Sequence, residues 1–334
     1  MEPGKRIAAF SQLGDRLAGL AGDDVIARIG ETNGWFTRSE VRRALGAWAD
    51  LLKMDKLQQW AQAYNLDERK RPSDILVITA GNLPLVGFHD FLSVLVSGNR
   101  FIGRLSSRDN ILIPLIAREL IRIEPGFSGF IHFGEKADPD AVIATGSDNS
   151  SRYFRTAFGH LPSIIRKNRS SAAILDGSET NGELDGLVAD MLVYYGLGCR
   201  SITHVYLPEQ LKTDDLADRI RHYAGTDPCP LYRDNLRYQK ARLALLGIRV
   251  TDARNALLTE NESLHSAIGV IHYSYYSSLD RLKELLDYYD SGIQCLAGHG
   301  SLLPGLVPFG KTQNPELGDY ADRLDTLAFL TNLP

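Results

Sequence analysis

The stretch Tyr194-Tyr195-Gly196-Leu197-Gly198-Cys199-Arg200-Ser201-Ile202 carries the chain's clearest capacity for covalent chemistry. An amphipathic segment precedes it and an apolar run follows, so Cys199 sits at a helix-to-strand joint loosened by Gly196 and Gly198. A reactive cysteine works as the thiolate, which requires partial exposure and electropositive surroundings. The glycines let backbone N–H groups approach a substrate, and Arg200 favours the thiolate. The competing reading is a buried cysteine that packs as a small hydrophobe.

The elements that position this joint are readable from the apolar pattern. Residues 1 to about 70 read as helical, with Val41, Leu45, Trp48, Leu51 and Leu52 sharing one face. Glu68-Arg69-Lys70-Arg71-Pro72 is a charged break ending in proline, which disfavours helix just before it. From Ser73 the pattern becomes strand, turn, helix, strand. Ile75-Leu76-Val77-Ile78-Thr79 is a continuously apolar β run of the kind buried in a parallel sheet, and Ala80-Gly81-Asn82-Leu83-Pro84 is the loop that leaves it. A helix through Phe88, Phe91, Leu92, Leu95 and Val96 ends at Gly98-Asn99. Strands follow at 100–105, 130–133 and 141–145, with a helix through Leu120 and another starting near Ser151. A strand at 172–175 leads to the helix of Leu184, Leu187, Val188, Met191, Leu192 and Tyr195. Beyond Cys199 come a strand at 203–207, a helix at 235–246, a strand at 268–273 and a helix at 278–288. This alternation predicts βαβ units and a mostly parallel sheet. Ligands of such sheets bind at the carboxyl ends of strands, where the Asn82, Ser107 and Ser147 loops fall.

The bulk numbers narrow the function classes. The 334 residues suit two domains or one large α/β domain with a second lobe. A formal net charge of -4 argues against a general affinity for nucleic acid or anionic membrane. No apolar run reaches the length of a membrane span, and Met1-Glu2-Pro3-Gly4-Lys5-Arg6 lacks the apolar core of a secretory signal. Cys199, Cys229 and Cys295 are too few and too scattered for a disulfide framework or a zinc site, so no metal is expected and a reducing cytoplasm is the expected compartment. Neither a G-x-G-x-x-G fingerprint nor a Walker loop is present. A phosphate has a place at Gly146-Ser147, where a strand feeds a helix N-terminus; the alternative there is an ordinary helix cap.

Taken together these pieces resemble the aldehyde dehydrogenase superfamily from about residue 73 onward. Ile78-Thr79-Ala80-Gly81-Asn82-Leu83-Pro84 looks like that family's strand and Trp-Asn-Phe-Pro loop, and Ser97-Gly98-Asn99 through Arg104-Leu105-Ser106-Ser107 looks like its Gly-Asn-x-x-x-x-Lys-Pro-Ser-Glu segment. Thr145-Gly146-Ser147 matches its Thr-Gly-Ser turn, Gly198-Cys199 falls at its nucleophile, and Glu262-Ser263-Leu264 resembles its Glu-Ile-Phe. Pro308-Phe309-Gly310, then Glu316-Leu317-Gly318 and Tyr320, resemble its C-terminal tail. The resemblance implies Cys199 as nucleophile, Asn82 as an oxyanion donor, Gly146 and Ser147 under the cofactor pyrophosphate, and Glu262 on the nicotinamide ribose. Thr79, Arg104 and Ser107 complete the implied cofactor contacts.

Two departures refine the expectation. Where the superfamily has Glu-Leu-Gly-Gly-Lys, with the base that activates hydrolytic water, this chain reads Arg166-Lys167-Asn168-Arg169-Ser170. Reduction of an acyl thioester needs no such base. Arg104 replaces a lysine and Ser107 an acidic residue, and Ser107 between Arg104 and Arg108 favours a 2′-phosphate, hence NADPH. Solvated surface arginines are the alternative. The chain is thereby similar to the LuxC-like acyl-CoA reductase branch, which implies NADPH-dependent reduction of an acyl-CoA or acyl-carrier-protein thioester to the aldehyde through a Cys199 acyl-enzyme. The rivals are a hydrolytic or phosphorylating aldehyde dehydrogenase, an acyl-phosphate reductase, and a weakly active scaffold subunit beside an acyl-activating enzyme partner. His299 and His204 are the proton-transfer candidates, each with a structural role as its alternative; Cys229 and Cys295 read as structural.

The expected architecture is α/β and aldehyde-dehydrogenase-like. It comprises a helical N-terminal prelude (1–72), a Rossmann-type NADP-binding domain (73–195), an α/β catalytic domain (196–307) and a tail (308–334) returning to the body or to a partner subunit of a homo-oligomer.

Overall fold

The computed structural model describes residues 1–66, 71–134 and 138–333. Of the expected charged break at 68–72, residues 68–70 lie outside the described residues. The chain divides into two compact units, residues 1–168 with 316–334, and residues 169–315. The division thus falls at 168/169 rather than 195/196, and the tail is shared, its first residues staying with the second unit and the rest joining the first.

In the first unit, helices α1 (Pro3–Leu20), α2 (Asp23–Thr32), α3 (Arg38–Leu51) and α4 (Met54–Ala61) form the N-terminal segment. They precede β1 (Asp74–Ile78), α5 (Phe88–Val96), β2 (Arg100–Arg104), α6 (Leu112–Ile123), β3 (Ile131–Phe133), β4 (Ala141–Thr145), α7 (Asp148–Phe158) and β5 (Ser163–Arg166). The five strands lie in the order β3-β2-β1-β4-β5, all parallel. Every residue of β1 is buried, as its apolar run requires in a central parallel strand. The strand order reverses direction between β1 and β4, which makes their carboxyl ends a topological switch point.

The helical segment is fastened to this sheet by aromatic packing. Phe10 of α1 meets Phe91 of α5 edge-on at 6.2 Å, Phe91 meets Phe101 of β2 at 4.9 Å, and Trp48 of α3 meets Phe88 at 4.6 Å. α5 ends as its sequence predicts. Gly98 adopts φ +84°, and the N–H groups of Gly98 and Asn99 donate to the carbonyls of Leu95 and Val94, closing a left-handed C-terminal motif.

A buried ion pair joins α5, β5 and the C-terminal segment. The Arg166 Nη1 donates to both carboxylate oxygens of Asp90 at 2.9 and 2.8 Å, and its Nη2 donates to Thr326 Oγ1 at 2.7 Å. Both charged side chains are under a tenth exposed, at 6% and 7%. Arg166 is therefore committed to a structural contact.

In the second unit, β6 (Ser170–Ile174), α8 (Asn181–Leu192), β7 (Ile202–Pro208), α9 (Asp214–His222), α10 (Pro230–Leu245), β8 (Thr251–Asp252), β9 (Leu257–Glu260), β10 (Val270–Tyr276), α11 (Leu279–Tyr289) and β11 (Ile293–Ala297) follow in turn. The sheet order is β11-β6-β7-β10-β9-β8, parallel except for the β8–β9 pair. Leu187, Val188 and Met191 of α8 and Ile220 of α9 pack on one face, and Leu282 and Leu286 of α11 on the other. The last helix, α12 (Thr326–Thr331), belongs to the first unit.

Asp90→Ala is expected to cost about 3–5 kcal/mol of stability by leaving the Arg166 charge without its carboxylate. Denaturant unfolding of the variant beside the parent protein measures this loss.

Candidate active site

The Cys199 joint is built by a sharp reversal of the chain. α8 begins with a reciprocal cap, in which Thr180 Oγ1 accepts from Glu183 N–H while the Glu183 carboxylate accepts from Thr180 N–H. It ends at Leu192, after which Tyr194, Tyr195 and Gly196 take positive φ values of 54°, 56° and 72°. Such a conformation is costly for tyrosine, by about 1 kcal/mol each, and tertiary contacts hold it. Tyr195 is 2% exposed, its hydroxyl donates to Asp227 O at 2.9 Å, and its ring lies against Tyr232. The reversal delivers a tight turn in which Ser201 N–H donates to Gly198 O at 3.0 Å and Gly198 N–H donates to Ser201 Oγ at 3.3 Å. Cys199 occupies the tip of this turn and is exposed, as thiol chemistry requires.

Beneath the turn lies Ser171, a fully buried residue of β6 that the pattern of apolar residues does not single out. Its hydroxyl donates to Cys199 O at 2.9 Å, accepts from Cys295 N–H at 3.2 Å and lies 3.1 Å from Cys295 Sγ. Cys295, on β11, is thus partly exposed and adjoins the Cys199 turn through a shared partner, which its reading as a structural cysteine does not anticipate. The signal available in the sequence is Ser170-Ser171, a polar pair opening an otherwise apolar buried strand.

Glu262 is exposed on the segment after β9, and that segment is pinned to the same strand ends. The Ser263 carbonyl accepts from two imidazoles, His204 Nδ1–H at 3.0 Å and His272 Nδ1–H at 2.8 Å. A carbonyl can only accept, so both rings carry the proton on Nδ1; the His204 Nε2 then accepts from Ser274 Oγ at 2.8 Å. Thr203 Oγ1 lies within hydrogen-bonding reach of Ser171 O at 3.3 Å and Leu264 O at 3.1 Å, which couples the Glu262 segment to the floor of the Cys199 turn. Burial pushes His204 down to about 4 and also lowers His272, which favours the neutral ring in both. With both nitrogens engaged, His204 serves as an anchor.

His299 stands at the other end of the sheet. Its Nδ1 lies 3.1 Å from Asp176 and its Nε2 3.0 Å from Glu183. Asp176 is five positions along the chain from Ser171, roughly 16 Å at strand spacing, so His299 is remote from the Cys199 turn. The Asp176 hydrogen bond leads the factors that raise the His299 pKa.

In the first unit, the remaining sequence-predicted residues meet at the carboxyl edge of the sheet. Thr79 follows β1, and its Oγ1 accepts from Ser106 N–H at 3.1 Å. Asn82 is half-buried in the next loop. Arg104, Ser107 and Arg108 are exposed at the end of β2. Gly146 and Ser147 join β4 to α7, which starts at Asp148 rather than near Ser151 because Ser147 Oγ caps it by accepting from Ser150 N–H at 3.3 Å. A Cβ on Gly146 would come within 2.7 Å of Ser150 Cβ, so the turn needs glycine to lie this close to the helix. These features suit a dinucleotide: a switch point between β1 and β4, a helix N-terminus aimed at that edge, and exposed arginines on the adjacent strand.

Asp109 ties the Asn82 loop to the Ser107 loop. It is 4% exposed, and its carboxylate accepts from Leu85 N–H at 2.9 Å. Burial outweighs that hydrogen bond and pushes its pKa up to about 7.

The family model described as acyl-CoA reductase (LuxC) matches residues 25–222, a span that includes Asn82, Ser147, Ser171 and Cys199. The chain belongs to the LuxC acyl-CoA reductase family. It is an oxidoreductase of the acyl-CoA reductase and aldehyde dehydrogenase type. Among curated proteins no relative matches in sequence. Among solved structures, aldehyde dehydrogenase 21 from Physcomitrella patens, in complex with the reaction product succinate, matches with TM-score 0.64 at 14% identity, over 85% of this chain and 71% of that one. An NAD-dependent benzaldehyde dehydrogenase from Corynebacterium glutamicum matches with TM-score 0.62 at 15% identity, over 85% and 74%. An NAD+ complex of an aldehyde dehydrogenase from Bacillus cereus matches with TM-score 0.61 at 14% identity, over 85% and 69%. At these identities the likeness establishes the aldehyde dehydrogenase fold. Among the described residues, no helix is long and apolar enough to cross a membrane.

Two titrations follow from the geometry. Because the fold raises the His299 pKa, its contribution is complete below the ordinary histidine pKa and is lost as pH rises through the raised folded value. His299→Ala is therefore expected to lower the melting temperature more at pH 6 than at pH 9. Asp109 behaves oppositely. The folded chain keeps its proton up to about 7 while the unfolded chain releases it near 3.8, so stability falls as pH rises across that window. Asp109→Asn keeps an acceptor for Leu85 N–H and removes this loss, giving a gain on the order of 1–3 kcal/mol at pH 8 over that at pH 4, measured by urea unfolding at both values.

Proposed function

We propose that this LuxC-family chain reduces an acyl thioester, carried on CoA or on an acyl-carrier protein, to the aldehyde with NADPH through an acyl-enzyme on Cys199. The observation that carries the reading is the exposed Cys199 at the tip of a turn hydrogen-bonded to a buried strand end, in a chain of the acyl-CoA reductase family. The Cys199 thiolate attacks the thioester carbonyl, the bond to the donor sulfur breaks, and the departing thiolate takes a proton from solvent. Asn82 and the Cys199 backbone N–H hold the oxyanion, a donor pair of the type whose single members contribute about 3–4 kcal/mol.

NADPH, when bound, supplies the hydride that converts the acyl thioester to a thiohemiacetal, whose collapse releases the aldehyde and restores the thiolate. Ser147 and Gly146 hold the pyrophosphate at the α7 N-terminus, and Glu262 orients the nicotinamide ribose. Arg104 and Arg108 favour the 2′-phosphate, and Ser107 contributes no carboxylate to repel it. The Glu of the hydrolytic enzymes is missing at the 166 position, where arginine is bound to Asp90; this supports reduction over hydrolysis.

Oxidation of NADPH, with NADH beside it, is followed with acyl-CoAs of graded chain length, acyl-carrier-protein thioesters, an acyl phosphate and a free aldehyde with NADP+. Thioester-dependent turnover that prefers NADPH and falls at least about 10³-fold in Cys199→Ala is the expected result. Turnover confined to the acyl phosphate or the free aldehyde, or binding of cofactor with no turnover of any thioester, overturns the reading.

A further inference from the structure

The Ser171 hydroxyl sits where three groups of the second unit converge, and its hydrogen-bonding capacity is fully used. It has one proton, which goes to Cys199 O at 2.9 Å. Its oxygen accepts the Cys295 N–H at 3.2 Å, and with its proton already given away it is the acceptor for the Cys295 thiol at 3.1 Å. Two donors in and one donor out make a chain running from Cys295 S–H through Ser171 O–H to the Cys199 carbonyl, in a site where Ser171 has no exposed surface. The Cys199 carbonyl is the negative end of the peptide dipole nearest its own sulfur. Fixing that oxygen on a buried strand fixes the Cys199 backbone torsions, and with them the directions of its N–H and its side chain. The Gly198–Ser201 hydrogen bonds close the turn, and Ser171 holds the carbonyl at its tip.

We infer that Ser171 is a positioning residue for Cys199, and that Cys295, through its thiol and N–H, sets the orientation of the Ser171 hydroxyl. The role rests on the reading of Cys199 as the nucleophile, and its test has a readout that needs no turnover. Ser171→Ala removes the contact to Cys199 and both contacts to Cys295, Ser171→Thr retains a hydroxyl on a β-branched strand residue, and Cys295→Ala removes only the thiol donor.

For each variant, circular dichroism and thermal unfolding define a temperature at which the protein is folded. There, the rate of Cys199 alkylation by iodoacetamide is measured from pH 5 to 10 by mass spectrometry of the Cys199 peptide, alongside kcat and KM with the best thioester. Ser171→Ala is expected to move the midpoint of the alkylation profile upward by about one pH unit and to lower kcat about tenfold, with KM for NADPH within twofold. Ser171→Thr returns the midpoint to within a few tenths of a unit, and Cys295→Ala gives a shift of the same sign and smaller size. A folded Ser171→Ala protein whose alkylation profile overlays that of the parent overturns the inference. If Ser171→Ala does not fold, an unshifted profile in folded Cys295→Ala overturns it. Absence of thioester turnover in the parent protein would instead overturn the proposed function and leave the alkylation comparison intact.

Discussion

A parallel sheet covered on both faces has no room for solvated polar groups except at its strand ends, and both units of this chain are organised by that constraint. In the first unit β1 is buried at every position, and the exposed groups begin where β2 ends at Arg104 and β4 gives way to Ser147. In the second, Cys199 and Glu262 both lie on connections whose hydrogen bonds end on Ser171, Thr203 and His204. These exposed polar groups lie at edges because the interior cannot accommodate them.

Several charged and ionisable groups that do enter the interior are matched to partners of the right kind. Arg166 has the Asp90 carboxylate, and the two imidazoles of His204 and His272 share a single carbonyl. Asp190 accepts from Gly310 N–H at 2.7 Å and Thr312 N–H at 3.1 Å, holding the Pro-Phe-Gly segment on α8, yet burial still pushes it up to about 6. The Arg166–Asp90, His204–Ser263 and Asp190–Gly310 contacts join segments far apart in sequence, so they select one arrangement of the chain over its near alternatives. Gly186 and Gly310 show the same selectivity through packing: a Cβ on Gly186 would lie 3.0 Å from the Gly310 nitrogen.

Membership of the acyl-CoA reductase family points the chemistry to carbonyl oxidation levels. Within that class, the choice between reduction and hydrolysis is one of whether water must be activated. The commitment of Arg166 to Asp90 bears on this choice, since a guanidinium held by a carboxylate in the interior neither accepts a proton nor directs water. The choice of acyl donor is a separate matter of binding surface, and substrate assays address it directly.

What the sequence determined by itself is local. The apolar runs of β1 and β4, the stripes of α5 and α8, and the Gly98-Asn99 helix end are all readable because strand and helix periods and capping depend on near neighbours. Short elements such as β5, β9 and α12 carry too few residues for a period to show. Cys199 stood out by its glycines, and Gly146-Ser147 by following a strand. Tertiary structure alone decided the rest. It drew the boundary at 168/169 because β6 pairs with β7 and β11 rather than with the first sheet. It placed His299 at the end of the sheet remote from Cys199, engaged both ring nitrogens of His204 in hydrogen bonds to Ser263 and Ser274, and brought Ser171 and Cys295 under the Cys199 turn. Those outcomes depend on hydrogen bonds between residues 28 and 124 positions apart, which no local pattern encodes.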